Sequence, residues 1–213
     1  MRWKMLLLVT LFAAPLLAQL KGANIEAALN LPPNLAPNPS FEAGAGNAPP
    51  SWHFVPQGPT PFGTWDGTVA HTGTHSLKLT TDIVHNQGCH PSGGYRQSDT
   101  SIPLNPSRTY YVSAWFKVQT LGSVTTAPNI TVLYVDTNGV VLGFDSGSFN
   151  PGNPASWIVG TRPSPSLAQA PAGTTAFKLL LGWASNFAGG ACPVGSLISC
   201  WYDDLNVTGL DPI

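Results

Sequence analysis

The chain has 213 residues, and its 9 Lys and Arg against 10 Asp and Glu leave only 9% of it charged. Such a balance offers no basic stripe of the kind that nucleic acid or anionic lipid requires. The surface must be covered by Ser, Thr, Asn, Gln and Gly, and a neutral partner rich in hydroxyls suits it.

In chain order, the first element is a short positive stretch, Arg2 and Lys4, ahead of an apolar run over residues 5–17 that ends at the small residue Ala18. This is the layout of a secretory signal peptide over residues 1–18. The run is shorter than the about 20 residues a bilayer span takes, and Pro15 sits near its end. The mature chain is therefore expected outside the cell, without a membrane span, beginning near Gln19. Residues 19–33 read as a leader or linker with one weak helical turn over 25–29. From residue 34 to 213 the chain reads as one domain of ordinary size.

Within that domain helical periodicity is absent, and 21 Pro and 22 Gly cut the whole chain into short runs. Runs rich in β-branched and aromatic residues fall at 76–79, 110–118, 130–135, 176–183 and 201–207. Turn clusters separate them at 105–107, 136–139 and 150–154. Short strands with turns between them predict an all-β fold, a β-sandwich jelly roll of two antiparallel sheets.

The run 110–118 carries the most information. Tyr110, Val112, Ala114, Phe116 and Val118 fit a core. The alternate positions are Tyr111, Ser113, Trp115 and Lys117, a face that is polar except for two aromatic rings. Rings on a polar face suit a sugar, whose C–H surface stacks on them while its hydroxyls bond nearby polar groups. A loop or the leader lying over Tyr111 and Trp115 is the other reading.

An exported chain favours cysteine pairing. Cys192 and Cys200 close a short loop containing Pro and Gly, and a bridge there would stabilise the fold by about 2–3 kcal/mol. Cys89 is left over, for burial or for a second chain. No Cys-x-x-Cys zinc spacing is present.

Several fragments fall into a familiar order: Asn34-Leu-Ala-Pro-Asn-Pro-Ser-Phe-Glu42, Pro50-Ser-Trp52, His71-Thr-Gly-Thr-His-Ser-Leu-Lys-Leu79, Tyr95-Arg-Gln97, Ile102-Pro-Leu-Asn-Pro106, and Trp201-Tyr-Asp-Asp-Leu-Asn-Val-Thr208. Together they resemble the carbohydrate-binding modules of the family 4, 9 and 22 kind, within the galactose-binding-like jelly rolls. The resemblance runs from residue 34 to 208. It implies polysaccharide or glycan binding, with Tyr95 and Gln97 as neighbours of Tyr111 and Trp115. It also implies a structural calcium ion away from the cleft. Its ligands would be Glu42, Asp203 and backbone carbonyls of the turn from Thr72 to His75. Calcium takes six to eight oxygen ligands, mixing carboxylates with carbonyls. The departure is that His71 and His75 stand where relatives often supply another acidic oxygen.

Nothing in the chain announces catalysis. Glycoside hydrolysis usually takes two opposed carboxylates, and Asp66, Asp82, Asp99, Asp136 and Asp145 fall in or near turn-like segments without visible pairing. There is no Gly-x-Ser-x-Gly elbow and no His-Glu-x-x-His. His85 and His90 flank Cys89 in a polar loop and read as solvated. A non-catalytic glycan binder is therefore expected. The alternatives are an extracellular structural protein on the same fold and a small lyase or hydrolase.

Overall fold

The computed structural model describes residues 32–46, 48–56, 63–81, 93–97, 100–121, 126–149, 156–163, 170–185 and 197–211. They contain eleven strands: β1 (Trp52–Pro56), β2 (Gly63–Asp66), β3 (Ser76–Thr81), β4 (Gly93–Gln97), β5 (Ile102–Pro103), β6 (Thr109–Leu121), β7 (Thr126–Val135), β8 (Val141–Ser148), β9 (Ile158–Pro163), β10 (Ala176–Ser185) and β11 (Leu197–Leu210). A six-stranded sheet runs β1-β4-β10-β7-β8 with β5 on β10, and a five-stranded sheet runs β2-β3-β11-β6-β9. Every pairing is antiparallel, so the all-β sandwich expected from the sequence is the fold. The sandwich lies in one compact unit, Asn34–Ile213. The expected signal peptide lies outside the described residues, as does the leader apart from Pro32 and Pro33. Among the described residues no helix is long and apolar enough to cross a membrane.

The core lies between the sheets and follows strand alternation. On β6 Tyr110, Val112, Ala114, Phe116 and Val118 are all buried, as the sequence predicts. They meet Ile130, Val132 and Tyr134 of β7 and Phe177, Leu179 and Leu181 of β10 in a single cluster. Each such side chain contributes about 1.5–3 kcal/mol through burial. The Tyr110 hydroxyl accepts the Asn105 N–H at 2.8 Å and donates to the Pro103 carbonyl at 3.1 Å, fixing the turn that enters β6.

β11 keeps its alternation only by a bulge. Cys200 and Tyr202 face the core before it, Leu205 and Val207 after it, and the register slips between Asp203 and Asn206. Asp204 takes up the extra residue at φ 45, a left-handed conformation that a residue with a Cβ adopts at a cost. The opening segment seals this bulge. Leu205 N–H donates to the Pro39 carbonyl, and Leu35 N–H to the Val207 carbonyl, each at 2.8 Å. Asn34 adds both ends of its amide, accepting from Val207 N–H and donating to the Leu205 carbonyl. The bulge is what brings Asp203 and Asp204 side by side at the edge of the turn before β3.

Cys200 is buried in this core, opposite Leu79 and Val118, and has no disulfide partner among the described residues. Burial pushes it up to about 12, against a hydrogen bond with Tyr202. Cys192, the partner expected from the sequence, lies outside the described residues, as does Cys89.

Candidate functional site

The face of β6 expected to bind sugar is correctly assigned as a face. Tyr111 is 38% exposed, and Trp115 lies four residues further along the same side. Trp115 is nevertheless not an open platform. The His71 ring stacks on it, with centroids 3.9 Å apart and planes 15° apart, and Trp157 packs against His71 edge-on at 5.5 Å. A protein ring holds the place that a sugar ring would take. Tyr95 and Gln97 fall on β4, in the other sheet, opposite Phe54 and Trp52 in the register. The four residues expected to share one cleft are therefore divided between two sheets.

The residues expected to hold calcium do converge, on the turn from His71 to His75, but with different chemistry. Glu42 Oε1 accepts the backbone N–H groups of Thr74 at 2.9 Å and His75 at 2.8 Å, and Oε2 accepts the Thr74 hydroxyl at 2.7 Å. Asp203 Oδ2 accepts the N–H groups of His71 at 2.7 Å and Thr72 at 3.1 Å, and Oδ1 accepts that of Asp204 at 2.8 Å. Burial opposes the charge on Glu42, but the bonds from His75 and Thr74 outweigh it and hold the carboxyl below its ordinary value. For Asp203 burial wins over its three N–H bonds and, with the neighbouring Asp204 charge, pushes it up to about 6. The calcium shell that the resemblance implies would draw carbonyl oxygens from this turn. The turn instead aims N–H groups at both carboxylates, an arrangement that favours anions. Among the described residues no group of three or more His, Cys, Asp or Glu gathers for a metal. Thr72 and His75 thus touch the two acids as donors, through backbone N–H groups rather than carbonyls.

The outer face of the six-stranded sheet carries a second candidate, which the sequence reading missed. Antiparallel partners share a face, so the register defines rows across the sheet. Leu180, Thr131 and Ser146 form one row, and Gly182, Asn129 and Ser148 the next. The Asn129 amide donates to Ser146 Oγ at 2.9 Å and Ser148 Oγ at 3.2 Å, and Thr131 Oγ1 donates to Asn129 Oδ1 at 2.8 Å. At Gly182 a Cβ would meet nothing within 4 Å, so the floor there is open. One row further, Phe144 stands beside Leu133 and is 71% exposed. A ring, the exposed hydroxyls of Ser146 and Ser148, the half-buried Asn129 amide with the buried Thr131 behind it, and an open floor lie on one surface. The floor is also pinned from beneath. The buried Tyr202 hydroxyl reaches across from the five-stranded sheet, accepts Asn129 N–H at 3.0 Å and donates to the Gly182 carbonyl. The available signal was the alternation of Phe144, Ser146 and Ser148, which Gly143 and Gly147 disguise as a turn-rich stretch.

No family model matches the chain, and no curated protein does. Solved structures share its fold at low identity. A cyclase from Fischerella sp. TAU, in complex with 4-(1H-indol-3-yl)butan-2-one, is 16% identical with a TM-score of 0.51, covering 83% of this chain and 96% of the cyclase. Tailspike protein 4 of bacteriophage CBA120 (its enzymatically active domain) is 15% identical with a TM-score of 0.51, and the chain spans only 21% of that protein's length. A CBM22-1 xylan-binding domain from Paenibacillus barcinonensis is 16% identical with a TM-score of 0.47, covering 82% of this chain and 93% of the domain. At such identities the likenesses show the β-sandwich fold alone. Function has to be argued from the surfaces themselves.

Proposed function

We propose that the chain is a secreted, non-catalytic glycan-binding module whose ligand lies on the outer face of the six-stranded sheet. The observation that carries this reading is the hydrogen-bonded set of Asn129, Thr131, Ser146 and Ser148 beside the exposed ring of Phe144. A neutral sugar binds by stacking plus a few directed hydrogen bonds, and this face supplies both. The acids argue against hydrolysis at the described surfaces, because they are engaged within the protein. Glu42 and Asp203 hold the turn. Asp66 accepts from Thr68 and from the Trp201 indole at 2.7 Å. Asp136 closes its own hairpin, and Asp211 pairs with Arg108.

The test is a binding screen against plant, algal and bacterial polysaccharides, followed by variants on the best ligand. Affinity in roughly the micromolar to millimolar range is expected, about −8 to −4 kcal/mol. Phe144→Ala should weaken binding at least fivefold with little change in melting temperature, while Tyr111→Ala on the opposite sheet should leave it unchanged. Loss of binding in Tyr111→Ala but not in Phe144→Ala would move the ligand to the other face. Failure to bind any glycan would end the proposal.

A further inference from the structure

Three carboxylates face the turn from His71 to His75, and the turn itself satisfies all three. Asp203 takes two of its N–H groups and Glu42 two more. Asp204 takes the Thr72 hydroxyl and His71 Nδ1, each at 2.6 Å. The ends of the turn are held by rings. His71 lies on Trp115, and His75 stacks on Trp65 at 4.2 Å. Trp65 in turn donates its indole N–H to the Phe41 carbonyl, next to Glu42.

We propose that this chain ties its opening segment to its last strand with a metal-free clamp, in which the turn is an N–H cradle and its anions are the protein's own Glu42 and Asp203. Successive N–H groups with a residue of positive φ among them make an anion-binding concavity. Gly73 supplies that residue, at φ +65, and a Cβ there would stand 2.4 Å from the Glu42 carboxyl carbon. The glycine therefore serves both the backbone turn and the close approach of the acid. A cation at this place would face the positive ends of the N–H dipoles. It would also have to draw Glu42 and Asp203 away from the five N–H and hydroxyl donors of the turn, which are the link between the two ends of the domain. The two histidines of the turn stack on Trp65 and Trp115, where an acidic side chain would add a fourth carboxylate to three.

Thermal unfolding of the full mature chain, stripped with chelator and then titrated with calcium into the millimolar range, tests the clamp directly. A metal that binds the folded state alone must raise the melting temperature with its concentration. The expected result is no shift beyond about a degree and no calcium retained after dialysis. A saturable rise of several degrees, or one calcium per chain by elemental analysis, overturns the proposal. A mutant cycle reads the cradle itself. Gly73→Ala should lower the melting temperature by several degrees, and clearly less in a Glu42→Ala background, where the blocking carboxyl is gone. Equal shifts in the two backgrounds would show that Glu42 does not sit in the cradle.

Discussion

Trp115→Ala separates the two surfaces. If the ring is structural, its removal costs stability and leaves glycan binding alone. A fully buried Trp→Ala change costs about 3–5 kcal/mol. Trp115 is half-buried, so the lost burial is worth about 2 kcal/mol. The stack with His71, with planes 15° apart, adds roughly 1 kcal/mol beyond area. The sum is about 3 kcal/mol, which for a domain of this size lowers the melting temperature by about 6–12 °C. Calorimetry or near-ultraviolet circular dichroism gives the first quantity, and isothermal titration with the ligand found in the screen gives the second. Affinity should stay within twofold, because Asn129, Ser146 and Phe144 lie on the other sheet. Unchanged melting with a tenfold loss of affinity would refute this, and would make Trp115 the sugar platform that strand alternation alone suggests.

Asp203, raised from 3.8 to about 6, binds a proton more tightly in the folded than in the unfolded chain. Its contribution is full below about pH 4 and lost as pH rises through about 6, at most about 3 kcal/mol. Melting temperatures should therefore fall from about pH 5 to pH 7 in the wild type, and Asp203→Asn should flatten that slope; Glu42 and Asp66, both lowered, act oppositely and only at lower pH. Tyr202→Phe takes the hydroxyl partner from the part-buried Asn129 N–H and Gly182 carbonyl, and should cost about 1–3 kcal/mol by denaturant unfolding. A loss below about 0.5 kcal/mol would mean the two strands pair without it. Cys200, buried and pushed up to about 12, should resist iodoacetamide in the native protein and react in denaturant without reductant. Recovery of a peptide joining Cys192 to Cys200 would instead establish the bridge expected from the sequence.

What could be read in advance was whatever depends on local periodicity. The alternation of 110–118 assigned both faces of β6 correctly, since strand geometry leaves no other choice. The opening and closing motifs placed Glu42, Thr72, His75 and Asp203 at one locus, where the structure also has them. The chemistry of that locus was beyond reach, because it turns on which way the peptide planes lie on either side of Gly73, and both N–H and carbonyl are present in any sequence. Coverage was equally hidden. Alternation puts Trp115 outward but says nothing of His71, which arrives from a turn between β2 and β3 and crosses β11 to reach it. The assignment of Tyr95 and Gln97 failed for a topological reason. In a sandwich the chain passes between sheets, so nearness along the sequence does not mean a shared surface, and β4 and β6 part company although only β5 separates them. The same rule explains why the stronger candidate surface was overlooked. It is assembled from β10, β7 and β8, whose outward polar line beside Phe144 is a glycine, an asparagine, a threonine and two serines. None of these stands out alone. They make a surface only through a register in which Gly182 meets Asn129 and Asn129 meets Ser148. That register is held from below by a tyrosine of the opposite sheet.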